Sequence, residues 1–342
     1  MIGSTTSMLR LDAHFPPMNR PRSWGIMEAG DCMAESMIAS EPSSAFDPSR
    51  AALFDRDVFA PFRVLQYEQL TGLVERGRIR QRTPVLVTEL PVQPVALITT
   101  QMAYHHVAQE TSRGNRGWFP SGVVCNSGVS MTPIIDGRTH QFGHRGLYNG
   151  LSVLGDAETG SYWDHVTGKC VKGPLEGRSL EIAPLLHMTA EQAARRGDML
   201  LARSKPTLFA RAMGRIAEWT RLSKRGFFPP GFRRTMAPTD PRLPEMELGL
   251  GVWTGRTQRF YPMTALRAAG GQIVDSLEPD YTIEILIDSQ TGIPSAIATG
   301  QSLNTNHRLE LKQRPMQLFT RWYGFSFTFP NCGIFQSPSA NT

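Results

Sequence analysis

Cysteine is scarce in this chain. Cys32, Cys125, Cys170 and Cys332 stand far apart in 342 residues. That is too few for a disulfide framework at this length. None forms a Cys-X-X-Cys pair, which argues against a structural zinc ribbon. Long apolar runs are also lacking: no window approaches the ~18 residues that a membrane span needs. The first forty residues do not show a basic start followed by an apolar run, being broken by Asp12, Pro16, Pro17, Arg20 and Pro21. Blocks of like charge are missing as well. The formal net charge is +6, but Arg195-Arg196 and Arg233-Arg234 are only pairs. Without basic clusters interleaved with aromatics, no nucleic-acid partner is expected. No Walker-type loop and no dinucleotide fingerprint is present, which disfavours nucleotide-dependent chemistry. No tandem repeat of short period appears. These absences lead to the expectation of a soluble cytoplasmic protein with reduced thiols and no membrane insertion.

The composition, 40% hydrophobic and 19% charged, is that of an ordinary globular chain. Residues 1–46 are rich in Ser, Met, Pro and Gly without periodicity, and are expected to be disordered or loosely packed. Residues 47–342 are read as one domain. Its parts are a dense motif core at 84–190, a helical connection at 205–225, a Pro-rich loop at 228–244 and a C-terminal β-rich part at 247–335.

The elements follow from period and punctuation. Leu65, Leu70, Leu73 and Val74 recur as one helical face, with Gly77 as the stop, and predict a short helix over 65–77. Pro84–Thr88 and Val95–Ile98 read as buried strands, being β-branched and flanked by proline. Asp136-Gly137 between Ile134-Ile135 and Arg138-Thr139 is a hairpin signal. Leu151–Leu154 reads as a strand ending in the turn Asp156-X-X-Thr159-Gly160, which is what a tight β connection wants. Tyr162 to Val166 turns at Thr167-Gly168 into a further strand. Thr189-Ala190-Glu191-Gln192 fits a capping box.

Leu208, Met213, Ile216, Trp219 and Leu222 mark a helix over 207–223. A hairpin is expected across 250–261, about one helical turn at 264–269, and an isolated strand at 283–288. The aromatic tail, 315–335, is expected to dock on the core as a strand or helix. The fold class is therefore α+β and β-rich, with an antiparallel meander or barrel-like core and a few peripheral helices.

The residue types with chemistry gather between Met102 and Gly173. Cys125 is a thiolate ligand or nucleophile if a basic neighbour lowers its pKa, and an inert small hydrophobe otherwise. His105 and His106 are adjacent, so on a strand or a helix only one of them faces a given site. A metal needs three or four ligands from separate elements. Cys125, one of the His105/His106 pair and His144, with His165 or Cys170 in reserve, are the candidate ligands. A thiolate among imidazoles suits copper, zinc or iron. Cys125 and His144 are the candidate catalytic residues. Tyr104 and Trp163 are the candidate pocket wall, although a tryptophan in such a run more often belongs to the core. Ser127 lacks the glycine pattern of a nucleophile elbow.

An ordered string of residues carries a resemblance. It comprises Pro84-Val85-Leu86-Val87, Met102-Ala103-Tyr104-His105-His106-Val107, Cys125-Asn126-Ser127-Gly128, Asp136-Gly137, Thr159-Gly160-Ser161-Tyr162-Trp163, Thr167-Gly168 and Gly173-Pro174-Leu175-Glu176-Gly177. With the aromatic close Arg321-Trp322-Tyr323 to Phe329-Pro330, it resembles a bacterial domain family of unknown function, the one numbered 3179, over about residues 55–335. The resemblance implies no activity. It does invite a pair of thiolates at Cys-X-X-Cys, but here the first of those positions is Gly122. The reading is a Cys/His-centred site, metal-binding and in its fullest form enzymatic. The alternatives are a non-catalytic β scaffold with structural Cys and His residues, and a metal-free thiol hydrolase or transferase.

Overall fold

The computed structural model describes residues 46–88, 94–109, 117–118, 128–204, 228, 231–299 and 314–336. It is strand-rich and mostly antiparallel, with a curled half-barrel sheet and few helices, as the sequence pattern predicts.

The sheet that positions the site has five antiparallel strands in the order Ala51–Leu53, Phe142–Tyr148, Leu151–Asp156, Tyr162–Asp164 and Cys170–Lys172. The last four follow one another in the chain as a meander. Every residue of Leu151–Asp156 is buried, so this strand is the sheet's spine. Local chemistry sets the turns. Asn149-Gly150 joins Tyr148 to Leu151 with φ of 51° and 70°, and Asp136-Gly137 closes its hairpin with φ of 49° and 74°. Positive φ at both central residues gives the twist that antiparallel strands require, and Asn-Gly and Asp-Gly tolerate it.

A second local device occurs three times. In Asp156-X-X-Thr159-Gly160, Asp164-X-X-Thr167-Gly168 and Asp288-X-X-Thr291-Gly292 the aspartate Oδ1 accepts the threonine backbone N–H at 2.7 Å. The threonine hydroxyl donates to the same oxygen at 2.8, 2.9 and 2.9 Å. The following glycine has φ of 71°, 68° and 69°. Carboxylate, hydroxyl and left-handed glycine together lock the loop without help from the core.

A second five-stranded sheet has the order Leu186–Thr189, Pro84–Thr88, Val95–Ile98, Leu200–Arg203 and Gln66–Gln69. The helices Leu70–Glu75 and Ala190–Ala194 pack on it through Leu70, Leu73, Ala190 and Ala193. The capping box is formed: the Thr189 hydroxyl accepts from Gln192 N, and Gln192 Oε1 accepts from Thr189 N. The short helix differs from the expectation at its start. Gln66–Gln69 is an edge strand paired with Leu200–Arg203, and the helix begins only at Leu70. Strand pairing satisfies four residues' backbone groups that a helical start would leave to water.

Leu248–Trp253 and Gln258–Pro262 form the expected hairpin, with Met316–Arg321 beside them. Tyr281–Ile287 is the central strand of a three-stranded sheet with Gln272–Glu278 and Pro294–Thr299, so it is not isolated. The tail is both strand and helix: Met316–Arg321 leads into Trp322–Thr328. Phe260, Trp322 and Phe325 share one buried cluster with Phe142, Leu154 and Trp163 of the meander. The helix expected over 207–223 lies outside the described residues. Among the described residues no helix is long and apolar enough to cross a membrane.

Asp156 ties this core together. It is fully buried and accepts from Trp163 Nε1 at 2.9 Å, from His140 Nδ1 at 3.2 Å, and from Thr159. Asp156→Ala should lower the unfolding free energy by about 3 kcal/mol or more, because it orphans buried donors. Asp288→Ala, in the same turn on a partly exposed loop, should cost about 1 kcal/mol. Urea unfolding of the two variants measures both losses. Equal losses would contradict the ranking.

Candidate functional site

Three irregular backbone features each deliver a histidine to one place. The first is the end of the helix Thr99–His105. His106 follows it with φ 60° and ψ −34°, a conformation that costs a residue with a side chain about 1–3 kcal/mol. The second is a β-bulge. The register between Phe142–Tyr148 and Leu151–Asp156 shifts between His144 and Gly146. Gly146 sits at φ 139°, and a Cβ there would stand 2.1 Å from the Ala52 carbonyl oxygen. Bulges of this kind re-aim the side chains beside them. The third is the Asp164-X-X-Thr167 turn. Asp164 Oδ1 accepts from the backbone N–H groups of Val166 and Thr167 at 2.9 and 2.7 Å, and His165 rides inside that turn, fully buried.

The rings meet under one aromatic cover. The centroids of His106 and His144 are 5.2 Å apart. Phe59 lies 4.2 Å from His106 and 5.0 Å from His144. The loop that carries Phe59 is pinned to the same strand, because Val58 N–H donates to the His144 carbonyl at 2.8 Å. The Nδ1 atoms of His106 and His144 are buried and have no hydrogen-bond partner among the described residues. Each such atom costs roughly 1–3 kcal/mol.

Electrostatics keeps these rings neutral. Burial, and then the nearby imidazoles of His144, His165 and His105, lowers His106 to about 3. Burial, and then His165, lowers His144 to about 4. Among the described residues, the charged groups acting on the two are other imidazoles, with no carboxylate among them. A neutral ring carries one nitrogen lone pair, the form in which histidine binds a metal.

The two adjacent histidines part company. His105 Nδ1 bonds the Ala60 carbonyl at 2.7 Å and the ring packs edge-on against Phe62. His105 is thus turned to the backbone, and His106 to the cluster. Cys125 lies outside the described residues. Tyr104 belongs to the helix Thr99–His105, and its side chain lies outside the described set as well. Trp163 is fully buried in the main core and donates to Asp156. Cys170 is buried, and desolvation raises its thiol pKa, which makes it a poor nucleophile.

The sequence reading missed a second group. His140, Asp156 and Glu158 offer one ligand atom each, all within 4.8 Å of one another. No other trio among the described His, Cys, Asp and Glu residues converges so closely, the three histidines above included. Their hydrogen bonds, however, mark this group as structural. Asp156 Oδ1 takes His140 Nδ1, Thr159 N and the Thr159 hydroxyl, while Oδ2 takes Trp163 Nε1 and shares that hydroxyl. A carboxylate has about four lone-pair positions, and four donor groups fill them. Burial pushes the Asp156 carboxyl up, but these bonds outweigh it and hold it below the ordinary value. Glu158 in turn accepts Gln141 N–H at 2.8 Å. A metal here would have to evict the bonds that hold Trp163. The one sequence signal for the group was Asp156 in its Asp-X-X-Thr-Gly turn. His140, alone in a polar stretch, gave none.

A family model described as Protein of unknown function (DUF3179) matches residues 68–324, most of the chain. No curated protein and no solved structure matches it.

The depressed imidazoles fix a pH dependence. In the unfolded chain a histidine takes its proton near 6.5; in the folded chain His106 and His144 refuse it down to about 3 and about 4. Below about 6.5 the unfolded state therefore binds more protons, and stability falls as pH falls, by about 1.4 kcal/mol per pH unit for each such histidine. His187, lowered to about 4 by burial, adds a third. Urea midpoints should drop between pH 7 and pH 5, and His144→Gln should flatten the drop. A pH-independent midpoint over that window would contradict the assignment.

Proposed function

The chain belongs to the DUF3179 family, and on that premise we propose that it is a transition-metal-binding protein whose ion sits between His106 and His144. Family membership carries no reaction, so the proposal rests on the site. The observation that carries it is the pair of buried, neutral imidazoles, 5.2 Å apart, whose Nδ1 atoms find no partner among the described residues. Buried polar atoms are nearly always satisfied, and two exceptions facing one another are a place where a water, an ion or a catalytic role accounts for them. A borderline or soft cation would use both lone pairs and remove both penalties.

Charge narrows the metal. Imidazole suits copper, zinc and iron alike. Moving an ion into a low-dielectric pocket costs in proportion to the square of its charge, and the cost is large for an uncompensated ion. With imidazoles as the only ligands among the described residues, a monovalent copper ion is therefore favoured over a divalent zinc or iron. A dication needs an anionic ligand, and Cys125 as thiolate is the proposed source. In the catalytic version of this reading Cys125 and His144 would touch the substrate. Nothing among the described residues favours the metal-free thiol reaction over it.

The test is titration of purified protein with Cu(I) against a chromogenic chelator, and with Zn(II) in parallel. One equivalent of Cu(I) should bind, and His106→Gln and His144→Gln should each weaken it by about tenfold to a hundredfold. Cys125→Ser should leave Cu(I) affinity nearly unchanged and abolish Zn(II) binding. Binding unaffected by either histidine substitution, or no stoichiometric metal at all, would leave the histidines structural and the chain a scaffold.

A further inference from the structure

A cleft separate from the histidine cluster is lined by residues of the strand Leu186–Thr189, the helix Ala190–Ala194 and the strands Leu248–Trp253, Pro294–Thr299 and Met316–Arg321. It encloses about 220 Å³. At about 10–15 Å³ per water-sized position, that is room for a small organic molecule rather than a few waters.

The charged and amide groups of the lining are already engaged. Asp288 Oδ1 accepts from Gln290 N, Thr291 N and the Thr291 hydroxyl, and its Oδ2 from Gln192 Nε2 at 2.7 Å. A carboxylate filled in this way offers little to a ligand. Gln317 bonds the Ala296 N–H and carbonyl at 2.8 and 2.9 Å. Arg196 and Arg314 have interactions of their own. His187 differs from all of these. Its backbone is held in the sheet opposite Leu86, and its ring stands edge-on to Phe319 at 6.0 Å. Burial alone lowers its pKa, to about 4, with no hydrogen bond and no charge contributing. The ring is therefore neutral at pH 7, with one N–H and one lone pair to offer. Ser295 adds a hydroxyl to the same lining, and Leu186, Leu250, Ile293 and Phe319 make its apolar part.

We propose that this cleft binds a small uncharged phenol, its ring against Leu250, Ile293 and Phe319 and its hydroxyl hydrogen-bonded to the imidazole of His187. A phenol hydroxyl both donates and accepts, as a neutral imidazole does, so either tautomer of His187 finds a match. An anionic head would meet guanidinium groups that are already engaged, and a cationic head a carboxylate that is already filled. In either case the charge would be desolvated without compensation. A hydrocarbon of the same shape would leave the imidazole unpaired. The flat body follows from Phe319, because aromatic rings in contact gain from edge-on and offset packing.

The probes are phenol and toluene, which share a shape and differ in one hydroxyl, with benzoate and benzylamine as charged counterparts. Binding is read by thermal unfolding and by imidazole NMR signals. Phenol at millimolar concentration should raise the unfolding temperature and shift one imidazole signal, the one missing from His187→Phe. It should bind about fivefold more tightly than toluene, the effect of one neutral hydrogen bond. His187→Phe keeps a ring beside Phe319 and should make phenol and toluene bind equally. Ile293→Trp fills the cleft while leaving His187 in place, and should abolish binding of both even if the histidine variant is unstable. Toluene binding as tightly as phenol, tighter binding of benzoate or benzylamine, a preference for phenol that survives His187→Phe, or no shift with phenol would each overturn the proposal. None of these outcomes touches the metal reading, because the two sites share no lining residue.

Discussion

A buried carboxylate must be filled, and Asp156 is filled on every side. It ends the fully buried strand, starts the turn to the next, and takes donors from Trp163, His140 and Thr159. Because Trp163 packs against Phe142 at 5.9 Å inside the cluster that also holds Trp322 and Phe325, a shift at this carboxylate moves both the meander and the C-terminal tail. The curvature of the half-barrel and the place of His144 depend on the same strand pair. Removing the charge alone would not relax the site; it would leave donors with nowhere to go. Asp156 is better understood as the anchor of the site than as a ligand within it, despite the close approach of His140 and Glu158.

The repeated Asp-X-X-Thr-Gly turn shows how one device serves different ends. At Asp156 it is buried and organises the core. At Asp164 it holds His165 in a rigid loop. At Asp288 it fixes the rim of a cleft lined by Leu186, Leu250 and Phe319 and, through Gln192, ties that rim to the capped helix Ala190–Ala194. The geometry is nearly constant, with the threonine N–H at 2.7 Å in all three copies. What differs is only what the turn is packed against.

What could be read in the sequence is what local chemistry decides. The Asp136-Gly137 hairpin, the strands Pro84–Thr88 and Val95–Ile98, the capping box at Thr189 and the left-handed glycines after each threonine all follow from a few neighbouring residues. Misreadings arose where distant pairing decides. Gln66–Gln69 is polar and falls on a helical period, yet Leu200–Arg203 draws it into a sheet. Tyr281–Ile287 looked isolated because its partners' strand character is spread over longer, mixed stretches. At the site, the argument that His105 and His106 cannot face one way needed only backbone geometry. The approach of His106 to His144 needed a positive φ and a bulge, neither of which has a residue-level signature unless glycine marks it. Gly146 was that mark beside His144, and no such mark stands at His106.

These irregularities have a physical logic. A strained His106, a bulge after His144 and a rigid turn around His165 are three separate costs that bring imidazoles together, and among the described residues the cluster has no counter-charge. Packing alone would be served better by three apolar side chains, which would keep the same volume without orphaned nitrogens. The orphaned Nδ1 atoms of His106 and His144 and the strain at His106 therefore belong to one arrangement, in which backbone energy holds lone pairs where water is excluded. Phe59 completes the exclusion, and its loop is fastened to the backbone of His144 itself. A ligand that accepts those lone pairs recovers the desolvation cost and gives the strain its purpose.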